Sequence, residues 1–250
     1  MQLLKHEYHV EHLWFSDDIF ALNRHWMQEF AEAVERRDAA IPFKIQSRAD
    51  LMTAETVAAL KRAGCEEVWM GAESGSQAIL NAMDKGLTVT SIIHARERLG
   101  AAGIRAAFFL QFGYPGETLK EIEETITLVR HCRPDDIGVS VSYPLPGTVF
   151  HEKVQEQLGV KRNWIDSQDL SVMFRAAYTD EFYRVLRNAL HFEVKLYHRS
   201  PTREQRRKLT GLWDNVYLLE ERCRISQPTQ LPVLQSNGSA LAVCGVETCS

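Results

Sequence analysis

Along the first 150 residues the apolar positions switch repeatedly between the two-residue spacing of strands and the three-to-four spacing of helices. Val10-Glu-His-Leu-Trp-Phe15 predicts a strand, followed by a helix near Asn23–Arg37 with Trp26, Phe30 and Val34 on one stripe. Phe43–Ser47 gives a second strand. Thr53–Ala63 gives a second helix, with Thr53 as its N-cap and Gly64 as its stop. Glu67–Met70 reads as a third strand running into the loop Gly71-Ala-Glu-Ser-Gly75, and helical pieces follow near Gln77–Met83 and Thr90–Ala102, the latter ended by Gly103. Arg105–Phe112 is almost uniformly apolar, the pattern of a strand buried on both faces. Glu117–His131 is the next helix and Ile137–Ser142 the last clear strand.

Alternating strands and helices place the chain in the α/β class, with parallel strands joined by right-handed crossovers. The sheet is either open and doubly wound or curled into a barrel, and in both cases chemistry gathers at the carboxyl ends of the strands. After Phe150 the alternation stops. Thr179–Arg199 and Thr202–Arg224 are amphipathic helices, and from Ile225 onward Ser, Gln, Pro, Asn and Gly dominate. The expected organisation is a barrel-like unit over 1–150, a helical extension over 151–225 and a disordered tail over 226–250.

Composition narrows the class. With 45% apolar and 25% charged residues the chain is an ordinary globular one, which excludes collagen-like and wholly disordered types. A net charge of −4 argues against a generally basic nucleic-acid binder. No apolar run approaches the roughly 18–20 residues of a membrane span, and Met1–Tyr8 lacks the apolar core of a signal peptide. Five dispersed cysteines do not form a disulfide framework, so a cytoplasmic location is expected. Cys65 and Cys132 read as small buried residues. Cys244 and Cys249, with four residues between them in the tail, could hold a metal or pair, but their setting favours no role.

The strand ends carry the candidate chemistry: Ser16-Asp-Asp-Ile-Phe20, Arg48 with Asp50, Gly71-Ala-Glu-Ser-Gly-Ser76, Gly113-Tyr-Pro-Gly-Glu-Thr118 and Tyr143-Pro-Leu-Pro-Gly147. Each alone is ordinary turn chemistry, and Asp17–Asp18 could simply cap a helix. Collected on one rim, they suit a zwitterionic ligand bearing a flat base. Asp17, Asp18 and Glu73 can accept from an ammonium group or sugar hydroxyls, Arg48 can grip a carboxylate, and Gly113 and Gly116 let a ring approach the backbone.

These motifs, with Lys85-Gly86, resemble the radical S-adenosylmethionine (SAM) superfamily, in the branch of cobalamin-dependent methyltransferases and methylthiotransferases. The resemblance covers residues 1–150, and Trp164–Phe192 resembles the piece that follows the barrel in cobalamin-linked members. It implies a partial (β/α)6 TIM-like barrel holding a [4Fe-4S] cluster and SAM. The cluster would cleave SAM to a 5′-deoxyadenosyl radical, cobalamin would be a further cofactor, and flavodoxin or ferredoxin would be the electron donor. Carried over, Asp17 and Asp18 would bind the methionine ammonium and Arg48 its carboxylate. Glu73, with Ser74, would bind the ribose. Gly113, Gly116 and Glu117 would shape the adenine pocket, flanked by Phe112 and Tyr143.

One departure is large. The family ligates its cluster with a Cys-x3-Cys-x2-Cys loop after the first strand, and no cysteine here precedes Cys65. The strand ending near Asp17 matches the family's second, so the expected chain is a partial barrel lacking its first strand: either a fragment or a relative that lost the cluster, and inactive alone. The rival readings are a SAM- or nucleoside-binding barrel without redox activity, and an ordinary barrel enzyme using Asp17, Asp18 or Glu73 as acid or base. A small-molecule substrate is expected. RNA stays open through the basic run Lys195, Arg199, Arg203, Arg206, Arg207 and Lys208, although a solvated helix face explains that run. His6, His9 and His12 lack the spacing of a zinc-binding helix.

Overall fold

The computed structural model describes residues 1–158, 170–226, 228 and 229. A short helix, α1 (Gln2–His6), leads into five parallel strands: β1 (Leu13–Trp14), β2 (Phe43–Arg48), β3 (Cys65–Glu73), β4 (Arg105–Phe112) and β5 (Asp136–Val141). The strands pair strictly in chain order. That order has no reversal, and therefore no switch point of the doubly wound kind; right-handed crossovers then put the intervening helices on one face. This decides between the two architectures that the alternation allowed: the sheet is a curled partial barrel.

Helices α2 (Arg24–Arg36), α3 (Ala54–Ala63), α4 (Gln77–Ala82), α5 (Val89–Ala101) and α6 (Leu119–Cys132) supply the crossovers. Local chemistry sets their ends. Asn23 accepts from the Trp26 N–H at 3.0 Å, Thr53 from the Thr56 N–H at 3.2 Å, and Gly64 closes α3 with φ +96°. Helix α6 begins later than the sequence suggests. The Thr118 N–H donates to Glu121 Oε2 at 2.9 Å, which makes Thr118 the cap and leaves Glu117 in the preceding turn. The first strand is also shorter than expected, because β1 has a partner on one side only among the described residues.

Strand alternation separates two faces. Ile45, Val68, Met70, Phe108, Leu110 and Phe112 are buried on the convex face against the helices. Lys44, Gln46, Arg48, Trp69, Phe109 and Gln111 occupy the alternate positions, on the concave face. The expectation that β4 is buried on both faces is therefore corrected: Phe109 is 36% exposed, because the concave face lines the hollow of a curled sheet.

Beyond the barrel lie α7 (Val149–Leu158), α8 (Asp180–Val194) and α9 (Arg203–Cys223). Helix α7 was not foreseen, since only Val154 and Leu158 of its residues are buried and so sparse a pattern gives little periodicity. Helix α8 packs on β5 and pairs with α9. Its Phe182, Leu186 and Leu190 join the same apolar core as the strands. No helix among the described residues is long and apolar enough to cross a membrane. Cys244, Cys249, nearly all of the expected tail and part of Trp164–Phe192 lie outside the described residues.

Candidate functional site

The carboxyl rim is built from the turns that follow each strand. At the end of β3 the pairing with β4 skips from Gly71 to Glu73, and Glu73 takes φ +59°, a left-handed conformation unusual for a residue with a side chain. This irregularity turns Glu73 back over the strand, so that a Cβ on Gly71 would stand 2.8 Å from Glu73 Oε1. Lys85 Nζ donates to that oxygen at 3.0 Å. Lys85 is itself fixed between the left-handed residues Asp84 and Gly86, and Arg48 Nη2 donates to its carbonyl at 3.0 Å. Arg48 also grips Asp50 through two 3.0 Å bonds, and that pairing pushes the guanidinium above its already high pKa. Asp18, Arg48, Glu73 and Lys85 line one cavity of about 260 Å³, whose walls include Trp69 and Phe109. Two anions and two cations around one hollow match a zwitterion better than a simple ion.

A second cavity, about 390 Å³, is lined by Met83, Gln111, Tyr114, Tyr143, Phe150 and again Lys85. Its wall rests on the Gly113–Glu117 turn. Pro115 and Gly116 occupy the central positions, Gly116 takes φ +92° and the Glu117 N–H donates to the Tyr114 carbonyl at 2.9 Å, the pattern of a type II turn. Tyr114 donates its phenol to the Ala82 carbonyl at 2.8 Å and its ring lies 5.1 Å from that of Phe150. The first hollow carries both charge signs beside two aromatic rings, the second sets Tyr114, Tyr143 and Phe150 beside Asp84 and Lys153, and Lys85 borders both.

The residues expected at the site divide into three groups. Asp18, Arg48, Glu73 and Tyr143 line the two cavities, while Asp17 is exposed on the turn beside them. Gly113 and Gly116 shape the turn through their backbone. Three side chains are placed differently from the expectation. Phe112 is 1% exposed on the convex face, because strand parity aims it at the helices. Ser74 is buried, with its hydroxyl 3.1 Å from Thr125 Oγ1 and accepting from the Ser76 N–H at 3.1 Å, so it staples the loop to α6. Glu117 turns inward, and its Oε2 accepts from the Gly113 N–H at 2.5 Å. Burial pushes that carboxyl up to about 8.

Lys85, Trp69, Phe109 and Phe150 were missed as site residues. Lys85 was visible within a motif but had no assigned partner; the other three are apolar residues whose cavity-facing side depends on sheet curvature. The His6–His12 stretch is exposed, and no group of three metal-ligating side chains occurs among the described residues. The basic run, from the end of α8 through the connection into α9, is solvent-exposed, with Lys208 standing over the Phe192 ring.

The model of the radical SAM superfamily matches residues 1–129. The chain belongs to the radical SAM superfamily. Enzymes of this superfamily use SAM and a [4Fe-4S] cluster. This radical SAM chain is 28% identical over 199 residues to an uncharacterized methyltransferase of Pyrococcus horikoshii, covering 74% of this chain and 43% of that protein. It is 26% identical over 146 residues to a tRNA-2-methylthio-N(6)-dimethylallyladenosine synthase of a Sulfurihydrogenibium species, covering 55% and 33%. The chain thus spans less than half the length of these curated relatives. Its fold resembles that of the methyltransferase TsrM of Kitasatospora setae, solved with cobalamin and a [4Fe-4S] cluster, at a TM-score of 0.54 and 18% identity over 66% of this chain and 34% of that one. The cobalamin-dependent radical enzyme OxsB matches at 0.55 and 18%, covering 86% and 40%.

The described residues do not fit an iron–sulfur cluster. Cys65, Cys132 and Cys223 are buried on three separate elements, and burial pushes the thiols of Cys65 and Cys132 up to about 12 and about 11. Cluster ligands are thiolates.

Proposed function

We propose that this chain is the SAM-binding part of a radical SAM methyltransferase or methylthiotransferase, with the ligand lying along the carboxyl rim of the sheet. The observation that carries this reading is the joining, at Lys85, of a cavity with both charge signs and a cavity with aromatic walls. Asp17 and Asp18 receive the methionine ammonium. Arg48, held by Asp50, offers the remainder of its guanidinium to the carboxylate. Glu73 accepts from the ribose hydroxyls, and Tyr143 with the Gly113–Glu117 turn encloses the adenine. No described residue is assigned a step on the cluster. Cobalamin as a further cofactor, a flavodoxin or ferredoxin as electron donor, and a small-molecule or tRNA substrate rest on the character of the relatives, and such reducing chemistry suits the cytoplasm.

Isothermal titration of the full chain with S-adenosylhomocysteine tests this. Saturable one-to-one binding, lost in Glu73→Ala, is expected; absence of binding by the unaltered chain overturns the reading. A second reading, adenosyl binding without redox activity, draws on the buried cysteines. Anaerobic reconstitution bears on the second reading alone: about four irons per chain with broad absorbance near ~400 nm would overturn it, whereas the buried thiols of the described residues predict none.

A further inference from the structure

Two buried oxygen atoms face a shared problem where α8 meets the rim. Tyr183, from α8, is 1% exposed, as is Glu117. Glu117 Oε2 is satisfied by the Gly113 N–H, but Oε1 has no hydrogen-bond partner, and the Tyr183 phenol, which has the Tyr178 backbone N–H beside its oxygen, has no acceptor for its own proton. Leaving such atoms unpaired in a core is costly, and native structures rarely do so. The two residues meet around Gly113. A Cβ on that glycine would lie 3.1 Å from both Cζ and Oη of Tyr183, and its φ of +76° suits no other residue type well. After burial itself, the Glu117 carboxyl is the strongest influence raising the Tyr183 phenol pKa. Ser142, whose N–H reaches the Phe112 carbonyl at 2.7 Å, adds a third unpartnered buried oxygen at the same strand ends.

We propose that Tyr183 is a positioning residue for the nucleoside turn: one buried water bridges its phenol and Glu117 Oε1 and so fastens the Gly113–Glu117 turn to α8. The turn's own peptide groups already use Glu117 Oε2 and the Tyr114 carbonyl, which leaves Glu117 Oε1 as the oxygen free to reach α8. Helix α8 lies outside the 1–129 segment that matches the superfamily. The helical extension therefore acts on ligand binding through the turn while touching no ligand itself. The effect on the ligand rests on the SAM-binding reading; the fastening of the turn does not.

The test uses Tyr183→Phe in the full chain, which keeps the ring and removes only the hydroxyl. Hydrogen exchange of the peptide spanning residues 112–118 is expected to quicken about tenfold, with S-adenosylhomocysteine affinity about tenfold weaker, the scale of one buried hydrogen bond. In a Glu117→Ala background the same substitution should add nothing, because the partner is gone. A residue that merely stabilised the fold would act equally in both backgrounds. Unchanged exchange in Tyr183→Phe overturns the fastening. Quickened exchange with unchanged affinity overturns the positioning role. Should the unaltered chain fail to bind S-adenosylhomocysteine, the SAM-binding reading falls, and the exchange measurement alone decides the fastening.

Discussion

Lys85 Nζ stands 3.0 Å from Glu73 Oε1, so the carboxylate proposed to receive ribose hydroxyls already has a cationic partner. A carboxylate accepts from about four directions, and one ammonium does not exhaust it. Lys85 instead fixes the carboxylate in place before the ligand arrives, which lowers the ordering cost of binding. Glu73→Ala removes both the acceptor and the anchor of Lys85. S-adenosylhomocysteine affinity should fall at least about tenfold by titration calorimetry, the scale of losing charged hydrogen bonds. Equal affinity in the variant would remove Glu73 from the site.

The loop after β3 has no room for a side chain at Gly75. A Cβ there would sit 2.3 Å from the Glu124 carbonyl oxygen and 2.6 Å from the Thr125 Cα, and backbone cannot give way as a flexible side chain can. Gly75→Ala should therefore push the loop off α6 and cost about 2–3 kcal/mol in urea unfolding. A change within about 0.5 kcal/mol would contradict this packing.

Glu193 ties the helical extension to the barrel. Its carboxylate accepts from Arg130 at 2.8 and 3.0 Å and from Trp213 Nε1 at 2.6 Å, joining α6, α8 and α9. Removing it strands a buried indole N–H and a half-buried guanidinium. Glu193→Ala should cost about 2–4 kcal/mol in denaturant titration. Glu193→Gln, which retains an acceptor for Trp213, should cost visibly less.

Glu117 gives stability a specific pH dependence. Its carboxyl is pushed up to about 8, first by burial, so the folded chain keeps a proton that the unfolded chain releases in the ordinary carboxyl range. Its contribution to stability is present at low pH, declines as pH rises from the ordinary range toward about 8, and then levels. Up to about 5 kcal/mol is at stake across that window. Glu117→Gln should flatten this component, and unfolding curves between pH 5 and about 9 would show the two proteins diverging. Parallel pH profiles would mean that the buried carboxyl does not hold its proton.

The buried cysteines should be inert. With their thiols raised to about 12 and about 11, Cys65 and Cys132 carry almost no thiolate at pH 8. Peptide mapping after maleimide treatment at about pH 8 should find both unlabelled in the folded chain and labelled in guanidinium. Labelling of either one in the folded state would reopen its candidacy as a ligand.

Much of this was legible in the sequence because it is local. Thr53 and Gly64 mark the ends of α3, Arg105–Phe112 is β4 residue for residue, and the acidic, basic and glycine residues do stand where strands end. Capping, period and turn chemistry act over a few residues, so one stretch of chain contains their cause. The same locality explains what the sequence left hidden. Ser74, Phe112 and Glu117 have the right residue types at the right rim, yet all three turn into the core. Which way a side chain turns at a strand end depends on a parity, a bulge and a neighbouring helix together.

The sequence by itself determined the order of elements, the parallel α/β class and the rim on which chemistry collects, since each follows from short-range preference and chain connectivity. The family resemblance already implied that the sheet curls, and strand order bears it out; only the tertiary structure decided that Lys85 sits between two hollows and that Tyr183 reaches Gly113 from 70 positions further along the chain. These are meetings of residues distant in sequence, and they are set by how faces pack and by which buried polar atoms must find partners.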